Sequence, residues 1–141
     1  MNHPAWEEIA GDLRTEIAGY GGLLNALAAQ QRSVLGRDVP AIVRLTGEIE
    51  ALLEELQGHR RRREAAVADF ARRHDLPAAA TLRSLLPLFE EAARPLLEAL
   101  MAEVNVLIHR TRRLNRHNHA LLAHAAATHR EIMQSLRPDA F

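Results

Sequence analysis

The feature that most constrains this chain is a long, mostly apolar seam near its end. Leu97, Leu100, Val104, Leu107, Thr111, Leu114, Asn118, Leu121, Ala125, Thr128, Ile132 and Leu136 follow one another at steps that alternate three and four almost throughout. Only an α-helix brings such a set onto one side, and the alternation is that of a coiled-coil heptad. The seam runs for 40 residues, or about 60 Å at ~1.5 Å per residue. A helix of that length must find partners along most of its face, and the rest of the chain supplies them. Alanine and leucine fill 47 of 141 positions, and no stretch alternates apolar and polar residues as a half-buried strand would. The fold expected is all-α.

Helix boundaries can be read from punctuation. From Pro4, an apolar stripe of Trp6, Ile9, Leu13, Ile17, Tyr20, Leu24, Leu27 and Val34 runs to Gly36, a C-cap. Gly19, Gly21 and Gly22 lie inside it and predict a loose or bent segment. Asp38 caps a second helix with Pro40 in its first turn. Its stripe reads Ile42, Leu45, Ile49, Leu52, Leu56, His59, Arg63, Val67 and Phe70, and it stops before Leu76–Pro77. Thr81 caps a short helix that contains Pro87, and Pro138 closes the last one. The expected helices are 4–35, 39–74, 82–89 and 95–136. Together they form one domain over residues 1–141, an elongated antiparallel bundle of three long helices with a short helical connection before an extended last helix. That helix is longer than its neighbours, so part of it should lack a partner in its own chain.

Catalysis finds little support. With no cysteine, disulfides, thiolate zinc sites and a Cys nucleophile are excluded. The histidines of the last helix (His109, His117, His119, His124 and His129) never stand three or four apart, as a helical metal pair requires, and no metal or cofactor is expected. Ser33, Ser84 and Ser135 lie in no strained strand-to-helix turn. Glu48, Glu50, Glu54 and Glu55 have the spacing of a solvated helix surface. The run Arg60–Arg63 points around most of a helix circumference, although Arg63 falls near the seam, where its stem can pack and its head snorkel or pair with an acid. The reading is non-enzymatic.

Charge balances at 18 arginines and 18 acids but is unevenly placed: residues 1–57 carry −5 and residues 58–141 carry +5. Between Val104 and Arg137 there are six Arg and five His against Glu131 alone. Such a face could track phosphates, but it has no interleaved aromatic for base stacking. A nucleic-acid-binding or scaffolding bundle is therefore the weaker alternative. No apolar run is long enough for a membrane span or resembles a signal peptide, so a cytoplasmic location is expected.

The last helix carries the most suggestive surface. Asn118 lies in the seam, where a polar residue sets register, and Asn115 adjoins it. Beyond them, Leu121, Leu122, Ala125, Ile132, Met133 and Leu136 make a shallow apolar strip. It could dock in the bundle, pair with a second copy, or order on another protein. These eight residues are the candidate partner-binding set.

The order of features resembles the FlgN-type flagellar export chaperones. The resemblance covers nearly the whole chain: an amphipathic first helix, the turn Val34-Leu-Gly-Arg-Asp38, and a second helix with Leu45, Ile49, Leu52-Leu53, Leu56 and Arg63. A Thr81-Leu82…Leu85 segment follows, then Asn-x-x-Asn-x-x-Leu-Leu at Asn115, Asn118, Leu121 and Leu122. It implies a cytoplasmic chaperone that binds C-terminal helical segments of hook-associated proteins through its own C-terminal part. Such a chaperone keeps those subunits unassembled and delivers them to the flagellar type III export apparatus. The last helix departs from the pattern in having no aromatic and much Arg and His.

Overall fold

In the computed structural model, which describes residues 4–136, every regular element is helical. Helix α1 spans Ala5–Leu35, α2 Val39–Arg73, α3 Leu82–Leu85 and α4 Arg94–Ser135, with 3-10 turns at Leu86–Leu88 and Glu91–Ala93 between the last two. The expected stop at Pro138 lies outside the described residues. The expected helix over 82–89 shortens to a single α-turn. Pro87 has no N–H for a fifth-residue hydrogen bond, so the chain tightens into 3-10 geometry there.

Caps account for the sharp ends. The Asp38 side chain accepts a hydrogen bond from Ala41 N at 3.2 Å, and Thr81 Oγ1 accepts from Ser84 N at 3.2 Å. Gly36 occupies the cap position of α1 but stays right-handed (φ −83°), and the left-handed residue is Arg37 at φ 55°. Asp38 N reaches Ser33 O and Arg37 N reaches Val34 O, which is a Schellman closure. Helix α2 ends the same way, with Asp75 at φ 57°. Neither left-handed position is a glycine, and Gly36 ends α1 without turning the chain.

The loosening expected around Gly19–Gly22 does not occur: α1 is continuous for 31 residues. Gly19 instead permits close approach, since a Cβ there would lie 2.9 Å from Leu56 Cδ1 of α2.

The three long helices run up, down and up. Helix α1 packs along both α2 and α4, whereas α2 and α4 scarcely approach each other. The second long interface is therefore between α1 and α4, which run parallel, and the three-helix arrangement is open on one side. Its lower end is the better filled. Ile9, Ala10 and Leu13 of α1 meet Val67, Phe70 and Ala71 of α2 and Leu97, Leu100 and Val104 of α4. Leu82, Leu85, Leu86 and Phe89 plug the base. Phe89 stacks on Phe70 with centroids 4.4 Å apart. The Arg94 guanidinium closes the turn by donating to the carbonyls of Phe89 and Pro87. Each fully buried Leu or Phe here contributes about 1.5–3 kcal/mol.

Midway up the α1–α2 face, Glu16 is 1% exposed and accepts two hydrogen bonds from Arg63, at 2.6 Å and 3.1 Å. Arg63 thus finds its acid within the bundle, in the bidentate geometry that guanidinium and carboxylate favour. Burial, reinforced by the Glu16 carboxylate and opposed by Arg62 and Arg63, pushes the Asp12 carboxyl one turn below above its ordinary value.

Candidate functional site

On α4 the residues buried against α1 include Leu97, Val104, Thr111 and Asn118, spaced by seven. Asn118 is completely enclosed. Its Nδ2 donates to Leu27 O at 2.8 Å and to Gln30 Oε1 at 3.0 Å. Gln30 Nε2 in turn donates to Thr46 Oγ1 of α2 at 3.4 Å. One polar layer therefore joins all three long helices. Thr111 Oγ1 and Asn118 Oδ1 are buried without hydrogen-bond partners, which costs this part of the seam stability.

The same line continues through Ala125 to Ile132, where nothing covers it. The hydrogen bond from Asn118 to Leu27 sets the parallel register. Carried to Leu35, that register puts the end of α1 level with Ala126. The remaining turns of α4, roughly 14 Å at ~1.5 Å per residue, project past both α1 and the α1–α2 turn. From His129 to Leu136 every side chain is exposed. Ile132 is 50%, Met133 57% and Leu136 69% accessible. Helical spacing places Ala125, His129, Ile132 and Leu136 on one stripe, with Met133 beside it.

The eight candidate residues consequently divide. Asn118 is spent on the bundle and sets the register of α4 on α1. Leu121 and Leu122 are half-buried beside the last turns of α1. Asn115 and Ala125 are exposed, as are Ile132, Met133 and Leu136. The structure thus brings Leu121, Leu122, Ala125, Ile132, Met133 and Leu136 onto one continuous face and leaves Asn118 behind it.

Two partners in this region were not found from the sequence. Gln30 fills the seven-residue gap between Leu27 and Val34 in the α1 stripe, and that gap was the available signal. Leu35, Val39 and Val43 form an exposed apolar cap on the α1–α2 turn, each more than 60% accessible, at the end of the bundle from which α4 projects.

The flanks of the stripe are basic. Helical spacing puts Arg110, Arg113, His117 and His124 along one side, and Arg112, His119 and Arg130 along the other. Arg110, Arg113 and His117 join Leu24 and Leu114 in lining an open cleft of about 370 Å³ between α1 and α4. No ion pair among the described residues engages Arg110, Arg112, Arg113 or Arg116. Among the described residues no cluster of three or more His, Asp or Glu could hold a metal ion, and no helix is long and apolar enough to cross a membrane.

A family model described as FlgN protein matches residues 1–141 of the chain. Neither a curated protein nor a solved structure matches it.

Proposed function

The chain belongs to the FlgN family, which implies a flagellar export chaperone and is a family of chaperones rather than enzymes, and on that premise we propose that the projecting end of α4 is its client-binding surface. The clients are hook-associated proteins, held through their C-terminal helical segments in the cytoplasm, kept unassembled and passed to the export apparatus. The observation that carries this reading is the continuation of the α1-facing line of α4 beyond the end of α1.

The mechanism follows from that geometry. Up to the level of Ala126, α1 lies beside the α4 seam. Beyond it, a client helix takes the place of α1 and buries Ile132, Met133 and Leu136, with its end reaching the half-buried Leu121 and Leu122. An amphipathic helix bound in this way hides its own apolar face, which is the face through which it would otherwise assemble. Fully burying one such side chain is worth about 1.5–3 kcal/mol, so a few anchors reach micromolar affinity after the cost of ordering. Nothing in this process requires a nucleotide or a covalent step.

The test uses the double variant Ile132→Glu/Met133→Glu in the full chain, with a hook-associated C-terminal helical segment as ligand. Both side chains are exposed, so the fold is unaffected. Affinity should fall at least about tenfold, while Leu53→Glu, on an exposed part of α2, should leave binding unchanged. Undiminished binding by the double variant would move the site elsewhere.

A further inference from the structure

We infer that the helix covering the end of α4 is acidic along its flank, and that its carboxylates are received by the cleft of Arg110, Arg113 and His117. This rests on the reading of α4 as the client-binding helix and adds the chemistry of the client.

The argument begins with a charge imbalance. Between Val104 and Leu136 the only acid on α4 is Glu131, against five arginines and five histidines. Arginines on solvated helices commonly find an acid three or four residues away, as Arg44 does with Glu48 and Arg60 with Glu64 on α2. On α4 that arrangement is missing, so the arginines have no counter-charge from their own helix. Helix α2, which carries Glu48, Glu50, Glu54 and Glu55, is held away from α4 by α1.

Position makes the imbalance specific. Arg110, Arg113 and His117 share one flank, beside α1 and below the level of Ala126 where α1 ends. They are exposed, and with Leu24 and Leu114 they wall a cleft whose floor is apolar and whose rim is cationic. A helix that covers the stripe and extends toward the base in the groove between α1 and α4, beside Leu114 and Leu121 and not on the line that α1 occupies, passes this cleft. Basic flanking residues there would meet the like charges of Arg110 and Arg113, which is a penalty. Glutamates would form paired contacts at a partly desolvated rim, and electrostatic complementarity of this kind selects partners and their orientation. The fitting occupant is thus an amphipathic helix with leucine-type anchors and a glutamate-rich flank.

The experiment measures fluorescence anisotropy with the full chain and three labelled helical peptides of about three heptads. They share leucines at a and d and differ at the flanking e and g positions, which are all Glu, all Gln or all Lys. A double-stranded oligonucleotide serves as a fourth probe. The Glu peptide should bind about tenfold more tightly than the Gln peptide at low salt, and the Lys peptide more weakly still. Arg110→Glu/Arg113→Glu should abolish that preference, while Arg61→Glu/Arg83→Glu, the same charge change on exposed sites remote from the cleft, should keep it. Equal binding of all three peptides would overturn the acidic preference and leave the apolar docking site standing. Failure of every peptide to bind would overturn both readings. An oligonucleotide that binds as tightly as the Glu peptide, and loses affinity steeply with salt, would overturn the inference in favour of polyanion binding.

Discussion

Leu97 and Ile132 lie five heptads apart on one line of one helix, yet Leu97 is wholly buried and Ile132 half-exposed. The two side chains are nearly equal in hydrophobicity and in heptad position, so neither property decides their fate. What differs is the reach of α1, which runs beside the first and ends before the second. The lesson is that a seam declares a capacity to pack, and the length of the neighbouring helix determines where that capacity is used internally. The surplus is available to another molecule.

Hydrogen exchange offers the sharpest way to break this comparison. Amides of α4 between Leu97 and Asn118 should exchange only on global unfolding, whereas those across 123–136 should exchange nearly freely in a dilute monomer and slow when a client binds. Slow exchange across 123–136 in a verified monomer would return that segment to the bundle core. Truncation of side chains makes the same contrast in energy. Leu97→Ala should cost about 2–5 kcal/mol of unfolding free energy, and Ile132→Ala less than about 0.5 kcal/mol, both measured by urea denaturation.

A second pair of sites refines the comparison within the α1–α2 half. Arg63→Ala strands the Glu16 carboxylate, whose side chain is 2% exposed, but the Arg63 side chain is itself 21% exposed and lets water approach. The loss should therefore be about 2 kcal/mol, below the range for a fully enclosed pair. Arg60→Ala, which breaks a pair exposed on both sides, should cost under about 0.5 kcal/mol. Equal losses for the two would show that burial does not distinguish them.

The smallest effect concerns Asp12. Its carboxyl is raised by burial, so the folded state holds the proton more tightly than the unfolded state does. The stability this group contributes is complete below its unfolded pKa and is lost as pH rises through its folded pKa. Asp12→Asn should accordingly raise the Tm at neutral pH, with the gain vanishing at pH values where both states are protonated. A gain that persisted in acid would point to a cause other than ionisation.

The fold was legible because punctuation and period agreed. Asp38 and Thr81 cap where they should, and the α4 seam is helical from end to end. The place of Arg63 near the seam leaves its head to snorkel or to pair with an acid, and Glu16 is not legible as that acid, because one period cannot say which residue faces it from another helix. Gln30 was hidden for the same reason and shows only as a gap. The glycines misled: Gly19 serves packing against Leu56, which sequence spacing does not reveal, and the left-handed turns fall to Arg37 and Asp75. At the candidate site, periodicity gathers Leu121, Leu122, Ala125, Ile132, Met133 and Leu136 on one face of α4. It could not separate Asn118, which α1 covers, from Ile132, which it does not, since that distinction depends on the parallel register of two helices.

The parallel pairing of α1 with α4 also has a temporal consequence. The hydrogen bond from Asn118 to Leu27 joins residues 91 positions apart, whereas α1 and α2 close through a turn of three residues, Gly36 to Asp38. Local contacts form before distant ones, because the distant ones require a larger loss of chain entropy first. On a ribosome the α1–α2 hairpin is complete while α4 is still being made, and it waits with one side of α1 uncovered. Helix α4 is thus the last of the three long helices to find its place, and until it does so the hairpin itself offers an apolar face to whatever arrives.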